Sequence, residues 1–532
     1  MSQEDKLNGN GPMPKQIPFI VGTEGCERFS FYGMRNILTP FLISTLLMFL
    51  PESERAGEAK HVFHTFVIGV YFFPLLGGWL ADRFFGKYDT ILWLSLVYCA
   101  GHACLAIWDD NINGFYFGLF LIALGSGGIK PLISSFVGDQ FDQTNKNKAK
   151  VVYDIFYWMI NFGSFFASLL MPHFLKSYGA SVAFGIPGIL MFIATVIFWT
   201  GRKKYIHVPP APPDPHSFTQ VARTALTSSK PGAMPVGLIV AYVGVAGALY
   251  SLTQYASWGF VISACSAIVL LLAFGGIGTS IQLDRARGIH PEEAVDGVRA
   301  VLRILIVFAL STPFWSLFDQ KASTWIVQAN AMVAPTVSLF GSSFTFLPAQ
   351  MQALNPLLVM ILIPFNNLVL YPSLRRIGIE PTALRRMATG IVFSALSWVV
   401  IGTIQVNMDG GTPTSMAWQI LPYALLTFGE VLVSATGLEF AYSQAPRSMK
   451  GVIMAFWFLA TTVGSLWVLI VNASVKNDAV IAHIATSGVS VMAFQMYFFA
   501  AFAFVAAAVF GWYATRYKMV DNYRVDAVPA KA

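Results

Sequence analysis

Apolar stretches of about 20 residues or more recur along nearly the whole chain, separated by short polar breaks. Such stretches leave the backbone few choices. In lipid, each N–H and C=O must find its partner within the protein, and a helix satisfies them within one segment. Charged residues make up 11% of the 532 positions, whereas soluble domains carry about 25%. That is too little charge to cover a water-exposed globule of this size. An ordinary soluble enzyme and a disordered chain are both excluded. The fold class expected is an all-α integral membrane protein.

The polar breaks predict membrane helices near 18–50, 62–82, 88–108, 113–137, 149–175 and 182–200. A linker follows, with RKK at 202–204 and PPAPPDP at 209–215. Two more helices are predicted near 232–256 and 260–283, then a charged stretch at about 284–299. The last six are predicted near 300–330, 344–372, 384–404, 417–440, 449–473 and 490–515. This divides the chain into a six-helix N-terminal bundle (1–200), a linker with a two-helix hairpin at about 232–283 (201–299), and a six-helix C-terminal bundle with a tail (300–532). Twelve core helices and a hairpin give 14. Two equal halves are the plan of transporters built from repeats around a central cavity. The segment GGWLADRFFGK (Gly77 to Lys87) resembles the inter-helix loop signature of the major facilitator superfamily. The matching region near 371–387, with Arg375, Arg376 and Gly378, is a degenerate echo. The resemblance implies the major facilitator fold.

The net charge of +7 has a plain source in the breaks. Basic residues gather in alternate loops: Arg83 and Lys87; Lys146, Lys148 and Lys150; Arg202, Lys203 and Lys204; Arg375, Arg376, Arg385 and Arg386; Arg447 and Lys450. The other loops hold only Arg55, Lys60, Lys176 and Lys476, and the one at 405–416 has none. Cytoplasmic loops are the basic ones, so both termini are expected in the cytoplasm. No nucleic-acid partner is needed to explain the charge. The N-terminus has no signal-peptide pattern, so the first helix is expected in the mature protein. Cys26, Cys99, Cys104 and Cys265 fall in apolar stretches without metal-ligand spacing.

Ionisable residues inside membrane helices are costly and point to function. The first helix carries Glu24, Glu27, Arg28 and Arg35 within an arc of about 100°. That face must turn away from lipid. Lys130 lies in GSGGIKP of the fourth helix; Tyr153, Tyr157 and Asn161 repeat every four residues in the fifth. Trp315, Asp319 and Gln320 lie in the seventh core helix, Glu430 and Ser434 in the tenth, Trp457 in the eleventh, and His64 and Tyr71 in the second. Glu430 is a single carboxylate in an apolar helix and needs a cation or a proton. Cations therefore gather in the first half and a carboxylate stands in the second. A cavity with those two poles suits a zwitterion: guanidinium binds carboxylate in bidentate fashion, and a carboxylate binds ammonium.

The segment EGCERFSFYG (Glu24 to Gly33) resembles the ExxERFxYYG signature of proton-dependent oligopeptide transporters. Phe31 stands where that signature has its first Tyr, which removes one hydroxyl. GSGGIKP with FVGDQF, FYWMINFGS, PFWSLFDQ, QALNP and GEVLVSATGLEFAYSQAP also fit, so the resemblance spans both halves. The short 405–416 loop and the extra hairpin look like the bacterial branch. The resemblance implies a symporter that imports di- and tripeptides by alternating access, placed in the bacterial inner membrane. It implies no enzyme activity and no cofactor beyond the coupling proton. Peptides and the lipid bilayer are the implied partners, with a monomer sufficient. It further implies roles. Arg28 and Arg35 would hold the peptide carboxylate, and Glu430 its ammonium. Tyr32, Tyr71, Tyr157, Asn161, Trp315, Asn355, Ser434 and Trp457 would line the pocket. Glu24 and Glu27 would pair with Lys130 and couple to the proton, with His64 as an additional carrier. Asp319 would pair with Arg35 in an outer gate.

Three alternatives are weighed against this, the last a receptor or channel on a transporter scaffold, which uphill accumulation would exclude. Relatives on the same fold move nitrate or small acids, but an anion without an amine has no use for Glu430. A membrane enzyme finds no metal cluster, nucleotide loop or nucleophile with its base in the sequence. Replacing Glu27 with Gln should abolish proton-driven uptake while counterflow survives in part. Normal accumulation by that variant would remove Glu27 from the coupling scheme.

Overall fold

The computed structural model describes residues 12–142, 145–210, 214–228, 234–339, 342–437, 440, 444 and 450–518. Twelve segments among them are long and apolar enough to cross a bilayer. One of these, Glu52–Ile107, is two helices, α2 (Glu52–Leu80) and α3 (Gly86–Ile107). They part at Gly86, whose φ of 75° suits a residue without a Cβ. Helix α1 (Ile17–Phe41) is too charged to count among the twelve, yet packs within the same bundle. Splitting the pair and adding α1 gives the fourteen helices expected from sequence.

The N-terminal half is completed by α4 (Ile112–Asp139), α5 (Lys146–Tyr178) and α6 (Ala180–Thr200). Helix α1 packs on α5 and α6, α2 on α4, and α3 on α4 and α6. Small residues set these distances, because lipid provides no hydrophobic drive between helices and close van der Waals contact must do the work. A Cβ at Gly77 would run into the backbone of Gly128, so α2 and α4 touch main chain to main chain. Away from that contact, Phe41 centres the half, with its ring 5.0 Å from both Phe115 and Phe184.

A short amphipathic helix that the sequence reading left as linker, α7 (Phe218–Thr227), follows. Val221 and Ala225 are fully buried against Val295 and Val298 of the C-terminal core, which explains why this polar segment is ordered. The hairpin is α8 (Val236–Thr253) and α9 (Phe260–Gln282), joined backbone to backbone at Gly237 and Gly278. Gln282 ties it down. Its amide donates to the carbonyls of Ala225 and Leu226 at 2.9 and 2.8 Å and accepts from the Gly237 N–H at 3.1 Å.

Helix α10 (Glu292–Asp319) begins well before residue 300, so the expected boundary between linker and C-terminal bundle falls inside it. The charges that suggested a linker form the helix start. Glu292 and Glu293 occupy the first turn, where acids complement the helix dipole. Arg287 and Arg299 pair with Asp284 at 2.9 and 2.6 Å, and Arg287 also reaches Asp296 at 2.7 Å. The remaining membrane helices are α11 (Leu354–Phe365), α12 (Ala383–Asp409), α13 (Ile420–Glu430), α14 (Lys450–Ser474) and α15 (Val491–Arg516), with short helices at Thr324–Asn330 after α10 and Asp478–Ala485 after α14. Helix α11 continues to Arg376 through a wider turn at Asn366–Leu370.

The structure departs from the sequence reading at two further places. A two-stranded ribbon, β1 (Thr336–Leu339) with β2 (Ser342–Thr345), occupies residues partly assigned to a helix start at 344. Its Thr336 and Thr345 hydroxyls meet across the strands at 3.0 Å. Arg55 and Lys60, read as loop residues, lie within α2, and Lys60 is buried. Arg447 and most of the segment 438–446 lie outside the described residues. Gly77→Val should overpack the α2–α4 contact and cost about 1–3 kcal/mol. A lowered thermal unfolding midpoint in detergent checks this, and an unchanged midpoint would mean that the two backbones are not in contact.

Candidate functional site

The charged stripe of α1 is buried, and its Arg35 reaches the other half. Arg28 donates through Nε to Glu24 Oε1 at 2.6 Å and lies 3.1 Å from Glu27 Oε2. Glu24 and Arg28 are one helical turn apart and Glu27 is adjacent, so one guanidinium serves both carboxylates. This corrects the expected pairing of Glu24 and Glu27 with Lys130. Arg28 reaches them from the same helix, and Lys130 arrives from α4 over an aromatic shelf. Its ammonium lies 3.6 Å from the Phe31 ring centroid and 4.9 Å from that of Tyr71. A cation over a ring face is held by the ring quadrupole. The Phe that departs from the family signature is thus the platform for Lys130. Lys130 still interacts electrostatically with Glu27 and Asp319.

Arg35, two turns farther along α1, donates to Asp319 Oδ1 at the end of α10 at 2.6 Å. Both residues are buried. Three neutral bonds beside it also join the halves: His64 Nε2 to Ser323 Oγ at 3.0 Å, Thr39 Oγ1 to the Ala322 carbonyl at 2.7 Å, and Gln352 Nε2 to the Asn36 carbonyl at 3.0 Å. Gln350 adds a bond to the Leu169 carbonyl at 2.8 Å. These contacts lie at the end of the bundle where α1 finishes, so that end is latched. The expected Arg35–Asp319 pair is therefore present in the geometry, and His64 stands beside it.

The second-half carboxylate has a partner that sequence reasoning missed. Lys321 Nζ donates to Asn355 Oδ1 at 3.0 Å, and Asn355 Nδ2 donates to Glu430 Oε2 at 2.5 Å and to Thr427 Oγ1 at 3.0 Å. The amide of α11 thus stands between an ammonium from α10's end and a carboxylate from α13. Lys321 follows Gln320 directly in the PFWSLFDQ segment, and a lysine at that depth was the available signal. Glu430 borders a widened turn at Val431–Ala435, a distortion frequent at functional sites.

Aromatic residues accompany both charge groups. Trp315 and Trp457 meet edge to face at 5.7 Å, and Tyr71 stacks on Phe458 of the opposite half at 6.3 Å. Tyr32 lies on α1 between Arg28 and Arg35 and meets the Phe31 ring edge to face at 5.4 Å, and Tyr157 lies on α5. Asn161 donates to the Tyr157 carbonyl of its own helix at 3.0 Å, which leaves its side-chain oxygen available. Ser434 forms no hydrogen bond among the described residues. Glu24 Oε2, Asp319 Oδ2, His64 Nδ1 and Trp315 Nε1 are likewise buried without a hydrogen bond among them.

Charges of both signs thus stand on both halves. A family model described as the POT family matches residues 88–488. The chain belongs to that family. Mouse "Solute carrier family 15 member 2" is 33% identical over 453 residues, covering 81% of this chain and 54% of the mouse protein. The chain thus spans about half the length of the curated relatives it matches. Among solved structures, an "auto inhibited POT family peptide transporter" shares 65% identity over 96% of this chain and 99% of its own, with a TM-score of 0.92. The POT family transporter PepTSo shares 64% over 96% and 100%, with a TM-score of 0.93. The major facilitator architecture read from the loop signature agrees with these POT folds.

Asp319→Asn should open the latched end, since orphaning a buried charge costs about 3–5 kcal/mol. Spin labels on Ser44 and Ala331, which are exposed at that end, should report longer distances in the variant. Unchanged distances would mean that the neutral bonds alone hold the latch.

Proposed function

We propose that this protein is a proton-coupled symporter that imports di- and tripeptides by alternating access. The observation that carries the reading is the presence of opposite poles on the two halves: Arg28 and Lys130 in the first half, Glu430 in the second. Peptides differ in side chain but share one carboxylate and one ammonium. A site built on those two groups accepts many sequences, and Tyr32, Tyr71, Tyr157, Asn161, Trp315, Asn355, Ser434 and Trp457 supply adaptable walls.

The coupling follows from charge balance. Arg28 is held by Glu24 and Glu27 and is unavailable to substrate while both are ionised. A proton on either acid frees the guanidinium for the peptide carboxylate. At the other pole, the substrate ammonium takes the place of the Asn355 amide at Glu430, and Asn355 turns to Lys321. Arg35 and Asp319 close the outer end, and His64 beside them is a second proton carrier. With both poles filled, the cavity is near neutral and the halves can rock. A membrane potential contributes about 2.3 kcal/mol per charge per 100 mV, enough for roughly a fiftyfold peptide gradient per proton. The scheme requires no cofactor and a monomer is sufficient. The basic loops support cytoplasmic termini, and the short outer loop supports placement in a bacterial inner membrane.

Labelled dialanine should accumulate in liposomes holding the purified protein when an inward proton gradient and an inside-negative potential are imposed. An uncoupler should abolish this. Equilibration without accumulation would make the protein a facilitator and overturn the coupling roles. N-acetyl dialanine, which lacks the ammonium, should compete at least about tenfold more weakly, the usual scale of a hydrogen bond to a charged group. In Glu430→Gln that difference should shrink. Equal competition in the wild type would point to an anion carrier.

A further inference from the structure

The hairpin does not lie flush on the C-terminal bundle. Ile262 of α9 packs on Leu466 and Leu469 of α14 and on Ile68 of α2. Beside this contact a crevice of about 600 Å³ runs between α8, α9 and α14. Its deep walls are apolar: Gly247 on α8, Val269 and Leu270 on α9, Leu466, Trp467 and Ile470 on α14. Trp467 is fixed, because its indole donates to Thr312 Oγ1 at 3.2 Å. One end is different in kind. Ser257 and Trp258 lie in the turn between α8 and α9, Ser474 ends α14, and Asn477 caps the helix after it. Trp258 and Tyr250 meet edge to face there at 6.3 Å, an aromatic pair at the level where such rings mark the membrane–water interface. The crevice therefore runs from headgroup level into the hydrocarbon region, on the side remote from the described ends of the chain.

We propose that this crevice holds one acyl chain of a phospholipid from that leaflet. An apolar space at this depth stays dry, and an empty one forfeits the dispersion contacts of every lining atom. The polar end matches an ester or phosphate group: the Asn477 side-chain oxygen is taken by the Ala479 N–H at 2.9 Å, which leaves its amide to donate outward. The Ser257 hydroxyl and Trp258 indole have no hydrogen-bond partner among the described residues and add two donors. Size excludes a helix from a second copy. A helix is about 10 Å across with side chains, so the crevice would admit fewer than two turns of it. A flexible run of methylenes fits. The lipid would fill the joint between the hairpin and the transporting bundle, so that the two move together.

The test uses the full chain, delipidated in mild detergent and titrated with palmitoyl-oleoyl phosphatidylglycerol, with bound lipid counted by native mass spectrometry. The wild type should retain one lipid per chain. Ser266→Phe and Ala473→Phe fill the crevice from opposite walls, and neither residue belongs to the candidate substrate site. Each should lower retention at least about threefold while dialanine uptake and the unfolding midpoint stay unchanged. If one variant fails to fold, the other serves. Equal retention in the wild type and the folded variant would overturn the proposal. So would a dimer mass in the wild type that the variants lose, since the occupant would then be a second copy.

Discussion

A charged side chain at the centre of a bilayer costs about 2.5–3.5 kcal/mol when judged by helix insertion, and the chain sets several of them there. The arrangement is stable only because each has a close partner: Arg28 the two acids of its own helix, Arg35 the Asp319 carboxylate, Lys130 two ring faces, and Glu430 the Asn355 amide. The pairings between helices hold those helices together at the centre of the bundle. The apolar faces are then left to lipid, and the two halves close around the polar ones.

The pairings differ in what they join. Arg28 with Glu24 and Glu27 stays within one helix, so it ties no other helix to α1. Arg35 with Asp319 spans the two halves, so its making and breaking must accompany movement of one half against the other. The Lys321–Asn355–Glu430 chain lies within the second half but uses a neutral amide as spacer. An amide can turn to serve either neighbour, which makes that pole adjustable.

The hairpin obeys another logic. It carries almost no charge in its helices, and its backbones approach through Gly237 and Gly278. It is fastened mainly at one end, by Gln282 and the amphipathic α7. Elsewhere it touches the bundle through Ile262, packed with Leu466, Leu469 and Ile68.

Residue pattern alone determined much of this protein. The fourteen helices follow from apolar segments of membrane length, because lipid permits few other backbones. The charged stripe on α1 and the isolation of Glu430 follow from helical periodicity and from the cost of charge in lipid. Partner choice did not. Lys130 was expected on Glu24 and Glu27, yet Arg28 of their own helix lies closest to both, and only packing shows that Lys130 is held over Phe31 and Tyr71. Lys321 was overlooked because its role depends on Asn355, distant in sequence, standing between it and Glu430. The start of α10 and the ordering of α7 were hidden for a related reason. Charge reads as a loop along the chain, and burial against another segment makes it a helix. What tertiary structure decided was which of the available opposite charges meet, since that depends on distances between helices that no periodicity encodes.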